Sequence, residues 1–312
     1  MTAPAHVMHY RHEAMLWRGE DEFVDGCVPF VRDGLAGGEP VMVATTKRRV
    51  GLLSDALGPG ADAVHFVDME LLGANPARII PAWAAFIRAA EGRPARGIGE
   101  PLWAGRSDVE IAECQLHESL LNLAVPAETP FWLRCPYDAE HLPPEVIAEA
   151  ERSHPELMEG AGPATRVQAY AGPGQAHRAF ASPLPEPTAV DSSTTFNAAS
   201  LRRLRTEVAV AAQRNGMSAD RTADLALAVH ELGANSVLHG GGHGTLRLWR
   251  ERGALVCEVA DQGRMQDPLS GRLDVDYERA SGRGLWMVNH LCDLVQLRSS
   301  EAGTTVRLHT WL

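Results

Sequence analysis

The order of apolar segments predicts an α/β protein in two parts: a mostly parallel sheet flanked by helices, then an α/β sandwich with neighbouring antiparallel strands. Three observations lead there. Strand-like and helix-like runs alternate before about residue 172, a stretch rich in Pro, Gly and Ser occupies 172–195, and beyond it two helices precede the strands.

In the first part, residues 22–34 place Phe23, Cys27, Phe30 and Val31 at helical spacing, and 41–44 form a short apolar run suited to a buried strand. Residues 50–57 have helical spacing and 64–67 are strand-like. A strong helix is predicted over 77–91, a short extended run over 95–98, a helix over 110–123 with Ile111, Cys114, Leu116, Leu120 and Leu121, and a strand over 131–135. Such alternation implies parallel pairing with crossover helices. The stretch 172–195 contains Gly172, Pro173, Gly174, Pro183, Pro185 and Pro187 and has few apolar residues, so it is predicted to be a linker. After it come helices over about 198–215 and 219–238, then strands over 245–250 and 254–260 joined by a turn at Arg252 and Gly253. An irregular segment over 261–282, a helix over 284–292 and strands over 294–299 and 304–309 close the chain. The predicted boundaries are therefore 8–171, a linker 172–195, and 196–312.

With 312 residues, 45% hydrophobic and 22% charged, the chain has room for two ordinary cores and the composition of a soluble globular protein. A net charge of −11 argues against direct nucleic-acid binding, which needs a basic face. No run approaches the roughly 18 to 20 apolar residues of a membrane span, and the N-terminus lacks the basic-then-apolar order of a secretory signal. The five cysteines are scattered and show no C-x-x-C, which argues against a disulfide framework and a zinc knuckle and predicts a cytoplasmic protein with reduced thiols.

Three short segments carry chemistry. On the second helix of the second part, Glu231, Asn235 and His239 stand four residues apart and share one row, beside an apolar stripe of Leu225, Val229 and Leu232. The amide oxygen of Asn235 suits Mg²⁺, which takes hard oxygen ligands, and Glu231 can accept a proton or orient a water. Asp261 ends an apolar strand, where its carboxylate can receive the adenine amino group while Gly263 lets the backbone approach the ring. Gly282, Arg283, Gly284 and Leu285 open a helix whose first amides suit phosphate. Between them, Arg264, Arg272 and Arg279 with Asp267, Asp274 and Asp276 suggest a lid, from which one arginine, or Arg283, would reach a γ-phosphate. Each segment alone is better explained by a solvated helix face, a turn or a charged loop. Their order in the chain makes the case.

These segments make 196–312 resemble the GHKL (Bergerat) ATPase fold, and its compact size is most similar to the anti-sigma-factor serine/threonine kinases. The resemblance implies ATP and Mg²⁺ as cofactors, Glu231 as base, and Asn235 as the Mg²⁺ ligand. It also implies phosphorylation of a STAS anti-anti-sigma partner and capture of a sigma factor when that partner is unavailable. Dimers are common in that family, so a homodimer is among the expectations. After Gly263 this chain has Arg264, Met265, Gln266 and Asp267, where the family often has an aromatic residue or glycine. Two other readings are an ATP-gated binding module without phosphotransfer and a histidine kinase lacking its own acceptor. Between 175 and 229 the only histidine is His177.

Residues 12–157 resemble the MEDS sensory domain, related to the RecA/KaiC core, through 29–40, Cys135 to Asp138, and His154-Pro155. A phosphate-binding loop after the strand 41–44 would need Gly-Lys-Ser/Thr, but Thr45, Thr46, Lys47, Arg48 and Arg49 follow. A sensor or docking half without nucleotide hydrolysis is therefore expected. His12, His117, His141 and His154, with Cys114 and Cys135, raise a metal or haem hypothesis, but their spacing fits no ligand template and packing is the expected role. Trp17, Trp83, Trp103 and Trp132 are read chiefly as core, and alternatively as the lining of a pocket for a small apolar signal.

Overall fold

The computed structural model describes residues 9–273 and 283–312 and divides into two compact units, Met1–Ala176 and His177–Leu312. The first unit runs β1 (Arg11–Trp17), α1 (Gly19–Ala36), β2 (Val41–Thr45), α2 (Lys47–Leu57), β3 (Val64–Asp68), α3 (Met69–Leu72), α4 (Ile79–Ala89) and β4 (Ala95–Gly99). It continues with α5 (Asp108–Ala124), β5 (Phe131–Asp138), α6 (Pro144–Ser153), β6 (Glu156–Glu159) and β7 (Thr165–Arg166). The sheet order is β3-β2-β4-β5-β1-β6-β7, parallel except for the β6–β7 pair.

The alternation seen in the sequence thus becomes a parallel sheet with crossover helices. The interior strand β1 is not among the predicted elements, because Arg11, His12 and Glu13 open it and leave only a short apolar run, Ala14 to Trp17. Glu13 is nevertheless fully buried, since Arg134 on β5 donates Nε to it at 2.6 Å. α1 turns Phe23, Cys27, Phe30 and Val31 onto the sheet, each burial contributing about 1.5–3 kcal/mol for the larger side chains. α5 starts at a capping box in which the Ser107 and Glu110 side chains satisfy the first free amides.

One residue, Arg18, separates β1 from α1, and one, Thr46, separates β2 from α2. The first turn of α1 holds Glu20, Asp21 and Glu22, and Glu22 Oε2 accepts from Arg18 N at 2.8 Å. These connections leave no loop to wrap a phosphate, and the acidic turn repels an anion.

The second unit contains α7 (Gly174–Ala181, inside which the division falls), β8 (Ser192–Asn197), α8 (Leu201–Arg214), α9 (Ala219–His239), β9 (His243–Glu251) and β10 (Ala254–Asp261). α10 (Arg283–Leu291), β11 (Leu294–Ser300) and β12 (Gly303–Trp311) complete it. The strands form an antiparallel sheet, β11-β12-β10-β9-β8. Leu255, Cys257 and Val259 alternate inward to meet Leu204, Val208, Leu225, Val229 and Val288 in one apolar layer.

The stretch predicted to be a linker carries more structure than that. It holds α7, and its end opens β8, which pairs with β9. Phe180 and Phe196, at the margins of the proline run, are buried in the same apolar layer. Arg307 Nη2 donates to Pro185 O at 2.9 Å, and Arg247 Nη1 to Glu186 Oε2 at 2.9 Å. Two aromatic anchors and arginine partners thus give order to a segment with few aliphatic residues.

All five cysteines are free and buried. Among the described residues no helix is long and apolar enough to cross a membrane.

Candidate nucleotide site

α9 begins where the Ser218 side chain accepts from Arg221 N, and it runs for 21 residues with Leu225, Val229 and Leu232 buried. Glu231 and Asn235 are half-buried on a different side of the helix, and His239 is exposed at its last residue. Ser236, next to Asn235, is buried and donates its Oγ to Asp261 Oδ2 at 2.6 Å. The other carboxylate oxygen of Asp261 accepts from Gly263 N at 2.8 Å. A sequence-local turn and a helix side chain therefore lock the Asp261 carboxylate from two directions.

Gly263 is held in turn. Its carbonyl accepts from Thr304 Oγ1 at 2.8 Å, and Thr304 shares a 2.8 Å bond with Ser299 Oγ, which accepts from Met265 N at 2.8 Å. A Cβ on Gly263 would lie 2.5 Å from His239 O and 2.9 Å from Gly240 Cα. The residue must be glycine because the turn presses against the end of α9, a reason that needs no ligand.

The start of α10 meets the row on α9. A Cβ on Gly284 would lie 3.2 Å from Glu231 Oε2 and 3.6 Å from Asn235 Nδ2. Arg283 is exposed at the first residue of that helix, and Leu285 is buried behind it.

These pieces surround one cavity of about 940 Å³, within the size of small-molecule sites. Glu231, Asn235, His239, Asp261, Gly263, Arg283, Gly284 and Leu285, each singled out from the sequence, all line it. Gly282 lies outside the described residues, as do Asp274, Asp276 and Arg279. Val259, Met265 and Val306 supply apolar wall. The donor set suits a nucleotide: apolar surface near a fixed carboxylate for a base, helix amides for phosphate, and amide and carboxylate oxygens for a hard cation.

The structure modifies two expectations. Arg272 is buried, whereas Arg264 and Arg283 are exposed, so Arg272 is not placed like a residue reaching for phosphate. The described part of the lid segment is also tied down, for Asn289 Nδ2 donates to Gly271 O at 2.8 Å. Sequence reasoning missed Ser236, Gly240 and Thr304. Ser236 adjoins Asn235, but its role shows only once Asp261 is seen beside α9.

The four tryptophans diverge. Trp17 and Trp83 are buried in the N-terminal core, Trp103 lies under the Arg106 guanidinium, and Trp132 lines a cavity of about 350 Å³ with Arg96 and Arg134.

Residues 11–155 match the family described as MEDS, the MEthanogen/methylotroph, DcmR Sensory domain. Residues 194–310 match the histidine kinase-like ATPase domain. Among curated proteins none matches the chain. A solved structure of the RsbU and RsbW domains of Rv1364c from Mycobacterium tuberculosis is similar at 18% identity and a TM-score of 0.30 over 39% of this chain. The match spans about a third of that protein's own chain, 32%. The chain therefore carries a MEDS domain at its N-terminus and a histidine kinase-like, GHKL-type ATPase domain at its C-terminus.

Proposed function

We propose that the chain is an ATP-dependent protein serine/threonine kinase of the anti-sigma type. In this reading it phosphorylates a STAS anti-anti-sigma protein, sequesters a sigma factor when that partner is unavailable, and takes its signal through the MEDS domain. A cytoplasmic location and a homodimeric state belong to the same reading.

The observation that best supports it is the convergence of the Glu231/Asn235 row, the locked Asp261 carboxylate and the N-terminus of α10 on one cavity. Asp261 would accept from the adenine amino group, Asn235 would hold Mg²⁺ through its amide oxygen, and the Gly284 end of α10, with Gly282, would face the phosphates. Mg-ATP, when bound, supplies an electrophilic γ-phosphoryl group. Glu231 would take the proton of the acceptor hydroxyl as that oxygen bonds to the γ-phosphorus and the bond to the leaving ADP breaks, a general-base role typically contributing about 10²–10⁴-fold in rate.

A histidine kinase with its own acceptor would need a dimerising helix around the phosphorylated residue. His177 instead sits on α7, eight residues long. The short β1–α1 and β2–α2 connections support a sensing or docking role for the N-terminal unit.

Labelled ATP incubated with candidate STAS proteins tests the proposal. Label is expected on a partner serine or threonine with the native protein, and at least about 100-fold less with Glu231→Ala. ATP-promoted partner binding with no label transfer would replace the kinase with an ATP-gated binding module. Acid-labile label on a partner histidine would replace it with a histidine kinase.

A further inference from the structure

Four side chains from distant parts of the N-terminal unit meet at one point. His12 on β1, Glu118 on α5, Cys135 on β5 and His154 at the end of α6 offer ligand atoms all within 4.8 Å of one another. None is more than 1% exposed.

The hydrogen bonds behind the rings determine which nitrogen faces inward. Asn122 Nδ2 donates to Ser153 O at 2.7 Å, which turns its Oδ1 toward His12 Nδ1 at 3.1 Å. His12 Nδ1 must therefore carry the proton. His154 Nδ1 lies 2.9 Å from Ala150 O, a group that only accepts, and Ser153 Oγ, 3.1 Å from the same nitrogen, has Glu149 O at 3.1 Å to donate to, so Nδ1 is again the protonated nitrogen. In the neutral form of either ring, which is the form that ligates a metal, the Nε2 lone pair then points into the cluster, as in imidazoles whose outer N–H is fixed by a carbonyl to ready the other nitrogen for a metal.

Two imidazole lone pairs and a carboxylate thus converge, with the Cys135 thiol as the one proton donor among them. Among the described residues His154 Nε2 and Glu118 Oε1 have no hydrogen-bond partner. Dry clustering of acceptors is costly unless a cation joins them.

The spacing has the size of a coordination shell. His12 Nε2 is 3.1 Å and His154 Nε2 3.4 Å from Glu118 Oε2, and Cys135 Sγ is 3.4 Å from His12 Nε2 and 3.5 Å from Glu118 Oε2. Metal–ligand bonds of Zn²⁺ at tetrahedral angles set ligands about 3.3–3.6 Å apart. The other candidates lie elsewhere: His141 pairs with Asp138, and Cys114 donates to Pro101 O.

We propose that His12, Glu118, Cys135 and His154 form a closed four-coordinate site for a borderline transition-metal ion, Zn²⁺ fitting best. Two nitrogens, one sulfur and one oxygen exclude the hard cations Mg²⁺ and Ca²⁺, which prefer all-oxygen shells. On binding, the Cys135 S–H bond breaks, its proton leaves to solvent, and an S–metal bond forms. With all four positions taken by protein, the ion clamps β1, β5, α5 and the end of α6 and leaves no vertex for substrate.

Full-length protein purified without chelator is expected to hold about one zinc per chain by elemental analysis. After chelation under reducing conditions, added Co²⁺ should give the intense d–d bands of a tetrahedral ion and a thiolate charge-transfer band, the latter lost in Cys135→Ser. If that variant fails to fold, X-ray absorption on the native protein decides, one sulfur among nitrogen and oxygen neighbours being expected. Native protein that is metal-free and leaves Co²⁺ with its aqueous spectrum would overturn the site. So would a charge-transfer band that Cys135→Ser leaves intact.

Discussion

In the N-terminal unit the layer between α1 and the sheet contains charges: Arg134 pairs with Glu13 and donates to Gly26 O, and Arg96 pairs with Glu39 and donates to Phe30 O. In the C-terminal unit the corresponding layer between helices and sheet is apolar, and the polar groups of interest line a cavity. The first arrangement uses buried polar groups to define a fold, the second to present a surface for a ligand. Side chains removed from water in the first unit gain from protein partners, as Arg134 does from Glu13 and Arg96 from Glu39. Those in the second can keep free lone pairs because the cavity admits solvent or nucleotide.

The contrast is tested most severely by unpairing a buried charge. Glu13→Ala leaves the Arg134 guanidinium with Gly26 O but without its carboxylate, in a place with almost no access to water. Loss of one partner from a buried pair typically costs about 3–5 kcal/mol. Chemical denaturation should therefore show the N-terminal unit destabilised by that order, with the Glu13→Gln variant between the two. A change within ~0.5 kcal/mol would mean that the charges are spectators and that the units are built alike.

In the C-terminal unit the expected loss is of binding with folding intact. Asn235→Ala removes the amide oxygen assigned to Mg²⁺ while its Cβ keeps the helix, since Ala is the best helix former. Calorimetry should show Mg-ATP affinity falling at least ~100-fold, about 2.7 kcal/mol, with denaturation scarcely altered. Unchanged nucleotide affinity would remove Asn235 from the site.

The same contrast explains how much could be read from sequence. Glu231, Asn235 and His239 lie on one helix, and the turn and second helix that face them are each local, so each segment is legible from its own spacing, while their order in the chain and the family resemblance are what join them into one site. β1 was unreadable because pattern reasoning places polar residues outside, and here Glu13 is inside with its arginine 121 positions away. His12 and Glu118 are 106 positions apart, and the topology that places β1 beside β5 is what brings the cluster together. No ligand template exists for such separations, which is why the scattered histidines and cysteines were read as packing. The proline stretch failed for a related reason, since its partners Arg247 and Arg307 lie on strands well beyond it.

The finest test concerns Ser236, a residue invisible to motif reasoning and distinct from the nucleotide contacts themselves. Its Oγ donates to Asp261 Oδ2, while Gly263 N holds Oδ1. Ser236→Ala leaves the second bond and the helix in place, so Asp261 keeps its position on one tether and loses orientation. A hydrogen bond to a charged acceptor contributes about 1.5–3 kcal/mol, and retention of the Gly263 bond places the loss toward the lower end. Adenine-nucleotide affinity should drop about 10-fold, and GTP affinity should change less, because the proposed function gives that carboxylate the adenine amino group to read. An equal fall for both nucleotides would show that Ser236 supports the cavity as a whole, and the division between folding residues and presenting residues would not hold at this position.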